Sequence, residues 1–151
     1  MREILFRAKR SGKDEWVQGY LTKIWGMLRI IDKHDENKAF VIDDDTIGQY
    51  TGLKDKNGRK IFEGDILEAK NKITFNTVVK YGEYTPNYFM KLMEEHRGRA
   101  TNTKFYGLYC ETLGTENKEL VITNSTQYFK VIGNIHDNPE FLTGGTRWKN
   151  D

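Results

Sequence analysis

The chain has 151 residues, enough for one ordinary domain or two small lobes, and its formal net charge of +2 is too small to argue for nucleic acid from bulk electrostatics. Aromatic residues make up 13% and charged residues 30%, which describes a solvated globular chain with enough large side chains for a core. Cys110 is the single cysteine, so an intramolecular disulfide is excluded, and no stretch approaches the ~18 apolar residues of a membrane-spanning helix.

In chain order, Arg2 to Ala8 alternates, with Ile4, Phe6 and Ala8 on one face and Leu5 the exception, which predicts a strand with one buried side. The opening ten residues are charged and lack a long apolar stretch, so no signal peptide is expected and the cytoplasm is the expected compartment. Glu15 to Thr22 and Gly26 to Ile31 read as strands two and three, and Asp32 to Lys38 as a loop. Ala39 to Ile42 is a short strand, and Asp43-Asp44-Asp45 a turn that marks the expected boundary of an N-terminal meander, residues 1–45. Gln49 to Lys70 carries the clearest local signal. Asn57-Gly58 suits the two positive-φ positions of a type I′ turn, which would set Leu53 against Phe62 and Asp55 against Lys60. Gly64 then breaks the second arm, and Asp65 to Lys70 begins a new strand.

Phe75, Thr77, Val79 and Tyr81 share one face of a strand expected to end before Gly82. The period then changes: Phe89, Leu92, Met93 and His96 fall at helical spacing, with Pro86 in the first turn and Gly98 as a stop, which predicts a helix over 86–97. Lys104 to Thr112, Glu119 to Thr123 and Phe129 to Ile135 read as strands, Asn138-Pro139 as their stop, and 143–151 as a flexible tail. About ten short strands and one helix indicate a mainly-β fold.

Three blocks carry a family resemblance. Arg2 to Ala8 is one. Gln49 to Asp55 with Asn57-Gly58 and Ile61 to Ile66 is the second. Val131 to His136 with Asn138 to Leu142 is the third. In this order they resemble the YopX family. The resemblance implies a small protein of bacteriophages and prophages. It also implies a mainly-β fold, with the N-terminal meander packed on a part similar to an SH3-type barrel, residues 46–142. Within that part, residues 84–128 correspond to a length-variable region, and the helix read there has no family support. The resemblance implies no reaction, cofactor or catalytic motif.

Candidate chemistry is sparse. His34 lies in an acidic loop with no zinc spacing, His96 closes the helical stripe, and His136 sits where a turn-stabilising role is the plainer reading. Cys110 reads as a buried small residue rather than a nucleophile. Asp43 to Asp45 lacks a calcium-loop pattern, and Glu63 with Asp65 suits a turn better than an acid–base pair. A catalytic reading would need His136, Asp137, Glu140 and Asp65 to converge in one concavity. No cofactor, metal, membrane or small-molecule substrate is expected, and no enzyme activity. The expected role is binding a protein, a second copy or a host partner, with Tyr88, Phe89, Met90 and Trp148 as interface candidates. The alternative is nucleic-acid binding through the barrel and the basic and aromatic stretch 88–109, with Lys91, Arg97, Arg99, Lys104 and Tyr106 as its residues.

Overall fold

The computed structural model describes residues 3–70, 73–85, 104–114, 119–122, 125–142 and 149–150. The fold is mainly β, in two antiparallel sheets. The chain divides into two compact units, residues 1–53 with 60–63, and residues 54–59 with 64–151.

The first unit holds β1 (Phe6–Lys9), β2 (Trp16–Ile24), β3 (Met27–Asp32), β4 (Ala39–Val41), most of β5 (Gly48–Lys54) and β6 (Lys60–Phe62), in the order β4-β3-β2-β1-β5-β6. The sheet curls back on itself after β4. Ile42 bridges Arg10, Ser11 donates its N–H to the Val41 carbonyl at 2.8 Å, and Asp43 donates to Lys9 at 2.9 Å. Inside the curl lie Ala8, Val17, Ile30 and Ile42, with Phe6, Leu21, Leu28, Phe40 and Ile47 packed around them. One alternation is reversed from expectation at the start: Leu5 is buried and Ile4 exposed. Leu5 leaves the β1 pattern because it joins a separate cluster with Tyr50 and Phe62, and its carbonyl accepts the Tyr50 N–H at 2.8 Å. The acidic turn is a 3₁₀ turn, Asp44–Thr46. It is held by the Thr46 hydroxyl, which donates to the Asp43 carbonyl at 2.6 Å and accepts the Lys9 N–H at 2.9 Å.

The type I′ turn expected at Asn57-Gly58 occurs instead at Trp25-Gly26. Ile24 pairs with Met27, and the two residues between have φ of 56° and 77°. In the central hairpin only Gly58 of the pair has a positive φ, 81°. Asp55 donates its N–H to the Arg59 carbonyl at 2.8 Å, and Gly58 donates to the Asp55 carbonyl at 2.9 Å. Asp55 therefore faces Arg59, not Lys60, across a three-residue loop. The cause is the Asp55 side chain. Its Oδ1 accepts the N–H groups of Asn57 and Arg59, both at 2.9 Å, and this local bonding selects the longer turn.

The second unit holds β7 (Asp65–Lys70), β8 (Ile73–Tyr84), β9 (Phe105–Thr112), β10 (Glu119–Val121), β11 (Phe129–Asn134) and β12 (Lys149–Asn150). The order is β10-β9-β8-β7-β11, with β12 pairing β8, and no pairing joins β10 to β11 among the described residues. Ile66, Val78 and Leu113 form its apolar centre with Ile132, Ile135 and Phe141. Gly64, at φ 86°, donates to the Val79 carbonyl and accepts from Ile135, both at 2.9 Å. β8 does not stop before Gly82. It continues to Tyr84 because Gly82 pairs with Gly107 and β9 runs alongside to Phe105. Asp55 and Lys56 belong to this unit: Asp55 Oδ2 accepts the Val131 N–H at 2.9 Å, and Lys56 donates to the Phe129 carbonyl at 3.0 Å. Beyond β11, the Asn134 side chain accepts the N–H groups of His136 and Asp137 at 3.0 and 2.9 Å and closes the turn. The helix expected over 86–97 lies outside the described residues.

Candidate functional site

An exposed aromatic surface arises where β8 and β9 outrun their neighbours. β7 pairs with β8 only as far as Val78, and β10 pairs with β9 only from Tyr109. From Tyr81 to Tyr84, against Phe105 to Leu108, the structure is a two-stranded ribbon among the described residues. Alternation places Tyr81, Glu83, Lys104, Tyr106 and Leu108 on one face. On that face Tyr81 is 59% and Tyr106 75% exposed, and their rings meet edge to face at 5.5 Å. Lys104 Nζ lies 3.5 Å from Glu83 Oε1. On the opposite face Tyr84 is buried, stacked on Phe105 at 5.9 Å and on Tyr109 at 4.9 Å.

A second surface sits in the first unit, at the tip of the β2–β3 hairpin. Trp25 is 91% exposed and holds φ at 56°. A left-handed backbone costs a residue with a Cβ roughly 1–2 kcal/mol, and asparagine or glycine ordinarily takes this position. Met27 is exposed beside it and Ile24 half-buried. From Gly19 to Ile31 the chain carries Lys23 and Arg29 and no acid.

A third feature is an open cleft of about 390 Å³ in the second unit, lined by Val78, Lys80, Glu111, Leu113, Ile135 and Leu142. Its polar groups satisfy each other, since Lys80 Nζ donates to Glu111 Oε2 at 2.8 Å.

Of the residues singled out in the sequence, the structure brings Lys104 and Tyr106 together on the ribbon. Lys91, Arg97, Arg99, Tyr88, Phe89, Met90, Trp148 and His96 lie outside the described residues. His34 donates its backbone N–H to Asp32 Oδ1 at 2.8 Å, and Asp35 donates to the same oxygen at 3.1 Å, so Asp32 organises this loop. Asp137 accepts from Asn134 Nδ2 at 3.1 Å and Glu140 from Asn138 Nδ2 at 3.4 Å, which ties both acids to the turn after β11. Among the described residues no three histidine, cysteine or acidic side chains gather as a metal site. No helix among them is long and apolar enough to cross a membrane. Cys110 is buried, and burial pushes its thiol up to about 12. Native protein at pH 8 should therefore react with iodoacetamide at least ~100-fold more slowly than urea-unfolded protein, as read by mass spectrometry. Comparable rates would show that the thiol is accessible.

Sequence reasoning missed Trp25 and the exposure of Tyr81. The signal for the first was present: a Trp-Gly pair between two strands, in a stretch without acids. Tyr81 looked like a core residue because it shares its face with Phe75, Thr77 and Val79, but the supporting strands end before it.

Two antiparallel sheets, one in each unit, define a small mainly-β protein. The model of the YopX protein family matches residues 5–143, and the chain belongs to that family. No curated protein matches it.

Proposed function

We propose that this chain is a non-enzymatic accessory protein of phage or prophage origin, acting in the bacterial cytoplasm by binding another protein. The observation that carries the reading is Trp25. A bulky residue held in a strained conformation, and almost wholly exposed, contributes little to its own fold. Trp, Met and Arg are the residue types enriched at protein interfaces, and Trp25 is flanked by Met27 and Arg29. The two-residue turn fixes the backbone beneath the indole, so little backbone entropy is lost on binding. The absence of acids around it suits an apolar pocket rimmed by carboxylates.

The test combines stability with contact. Trp25→Asn should raise folding stability by about 1 kcal/mol in urea titration, because asparagine tolerates the left-handed conformation. A benzophenone side chain placed at Lys23 should crosslink to a protein in host cells, and Trp25→Asn should remove that adduct. Lower stability in the variant, or an adduct that persists, would overturn the reading.

Nucleic-acid binding is the second reading, favoured by Lys104 beside Tyr106. Against it, Lys104 is paired with Glu83 on the same face. Fluorescence anisotropy with short labelled DNA and RNA at low salt decides it: binding lost in Lys104→Ala would promote this reading, and no binding would remove it.

A further inference from the structure

We propose that the face of the β8–β9 ribbon carrying Tyr81 and Tyr106 is a self-association surface, and that its occupant is the same face of a second copy of this chain. A two-stranded ribbon is marginally stable in water and needs a third layer to cover an apolar face. On the opposite face the Tyr84 ring is buried against its same-face neighbours Phe105 and Tyr109. Among the described residues, Tyr81 and Tyr106 remain 59% and 75% exposed on theirs.

Charge selects the occupant. Glu83 and Lys104 lie side by side on this face, with side chains 60% and 70% exposed. An isologous two-fold contact brings each patch against its own copy, so a surface that joins one cation to one anion can satisfy itself. The two-fold operation sets the Lys104 of each copy toward the Glu83 of the other, with the tyrosines between. A nucleic-acid strand would meet the Glu83 carboxylate instead. The basic Trp25 hairpin would meet like charge if it paired with itself, and the ribbon would not.

Area sets the strength. Two largely exposed tyrosines, at ~150–250 Å² each when fully buried, with Glu83 and Lys104, offer several hundred Å² per copy. A dimer would bury roughly 1,000 Å² in total, the lower limit for a specific interface, so dissociation constants on the order of 10–100 μM are expected.

Sedimentation equilibrium on the full chain, from low to several hundred micromolar, tests this. Wild type should shift from monomer to dimer. Tyr106→Ser should weaken association at least ~10-fold, as loss of a central aromatic anchor does. Lys104→Glu alone and Glu83→Lys alone should each weaken it, because each makes the patch one sign. An equimolar mixture of those two variants should associate again, as a heterodimer. All three positions needed for these variants are exposed, and an unchanged urea midpoint confirms that each variant folds. A wild-type chain that stays monomeric throughout overturns the proposal, as does a dimer indifferent to Tyr106 and to the charge changes. Either result leaves the Trp25 reading standing, because that surface belongs to the other unit and is read by a different experiment.

Discussion

Asp55→Ala is expected to cost the second unit about 3 kcal/mol at neutral pH, measured by urea unfolding. The Asp55 carboxylate is buried and accepts three backbone N–H groups, those of Asn57, Arg59 and Val131. Asn57 and Arg59 are exposed, so water can replace their lost bonds. Val131 is buried, and its N–H would be left without an acceptor, which alone costs ~1–3 kcal/mol. The rest comes from the loop, which loses the side chain that selects its conformation. Asp55→Asn should fall between, since its carbonyl oxygen can keep some of these bonds but carries no charge. The pH dependence follows. Burial alone would raise the Asp55 pKa, but the bonds from Val131, Arg59 and Asn57 and the Arg59 charge outweigh it and hold the carboxyl below its usual value. A lowered pKa means stability that is present in full above the unfolded value, about pH 4, and lost as the pH falls from there toward the folded value. The gap between wild type and Asp55→Asn should thus shrink below about pH 4. A gap that stays constant from pH 7 to pH 3 would show that the charge is not what matters.

Gly19→Ala should be at least as damaging, costing the first unit about 3 kcal/mol or more and lowering soluble yield. Gly19 pairs with Phe6 on one side and Asp32 on the other. A Cβ there would lie 1.8 Å from the Ile31 carbonyl oxygen and 3.0 Å from the Lys33 nitrogen. Both are backbone atoms, so no rotamer change relieves the overlap. The strands must separate, and the bond from the Lys33 N–H to the Gln18 carbonyl, 3.2 Å long, goes with them. Gly12→Ala is the contrast. Its φ is +72° but nothing lies within 4 Å of an added Cβ, so only about 1 kcal/mol of backbone strain is expected. Circular dichroism melts of the two variants separate the effects; equal losses would mean that the close approach at Gly19 relaxes easily.

Much of this fold is legible in the chain because its strands announce themselves by alternation and by the polar breaks between them. β7 begins and ends where the sequence places it, and the strand at Phe129 ends one residue early. The turn types are less legible. Asn57-Gly58 has the composition of a type I′ turn, yet the Asp55 side chain overrides it. Trp25-Gly26 has an unfavourable composition, yet strand pairing from Gly19–Asp32 to Ile24–Met27 enforces it. Local propensity lost to a side-chain bond in one case and to register in the other. The site was half legible. Lys104 and Tyr106 stood out as a basic residue beside an aromatic one, but which face they share and what flanks them depend on where neighbouring strands stop, a long-range property with no local signature.

The bond from Val131 to Asp55 also bears on how the protein is made. Its two ends are 76 residues apart in the chain. At a synthesis rate of ~5–20 residues per second, the carboxylate emerges roughly 4–15 s before its partner. The β1–β2 and β2–β3 hairpins close within microseconds and have ample time to form. Over that interval the hairpin tip carries an ionised, water-bound acid where an edge strand will later dock. A charge at an edge discourages pairing with the wrong strand.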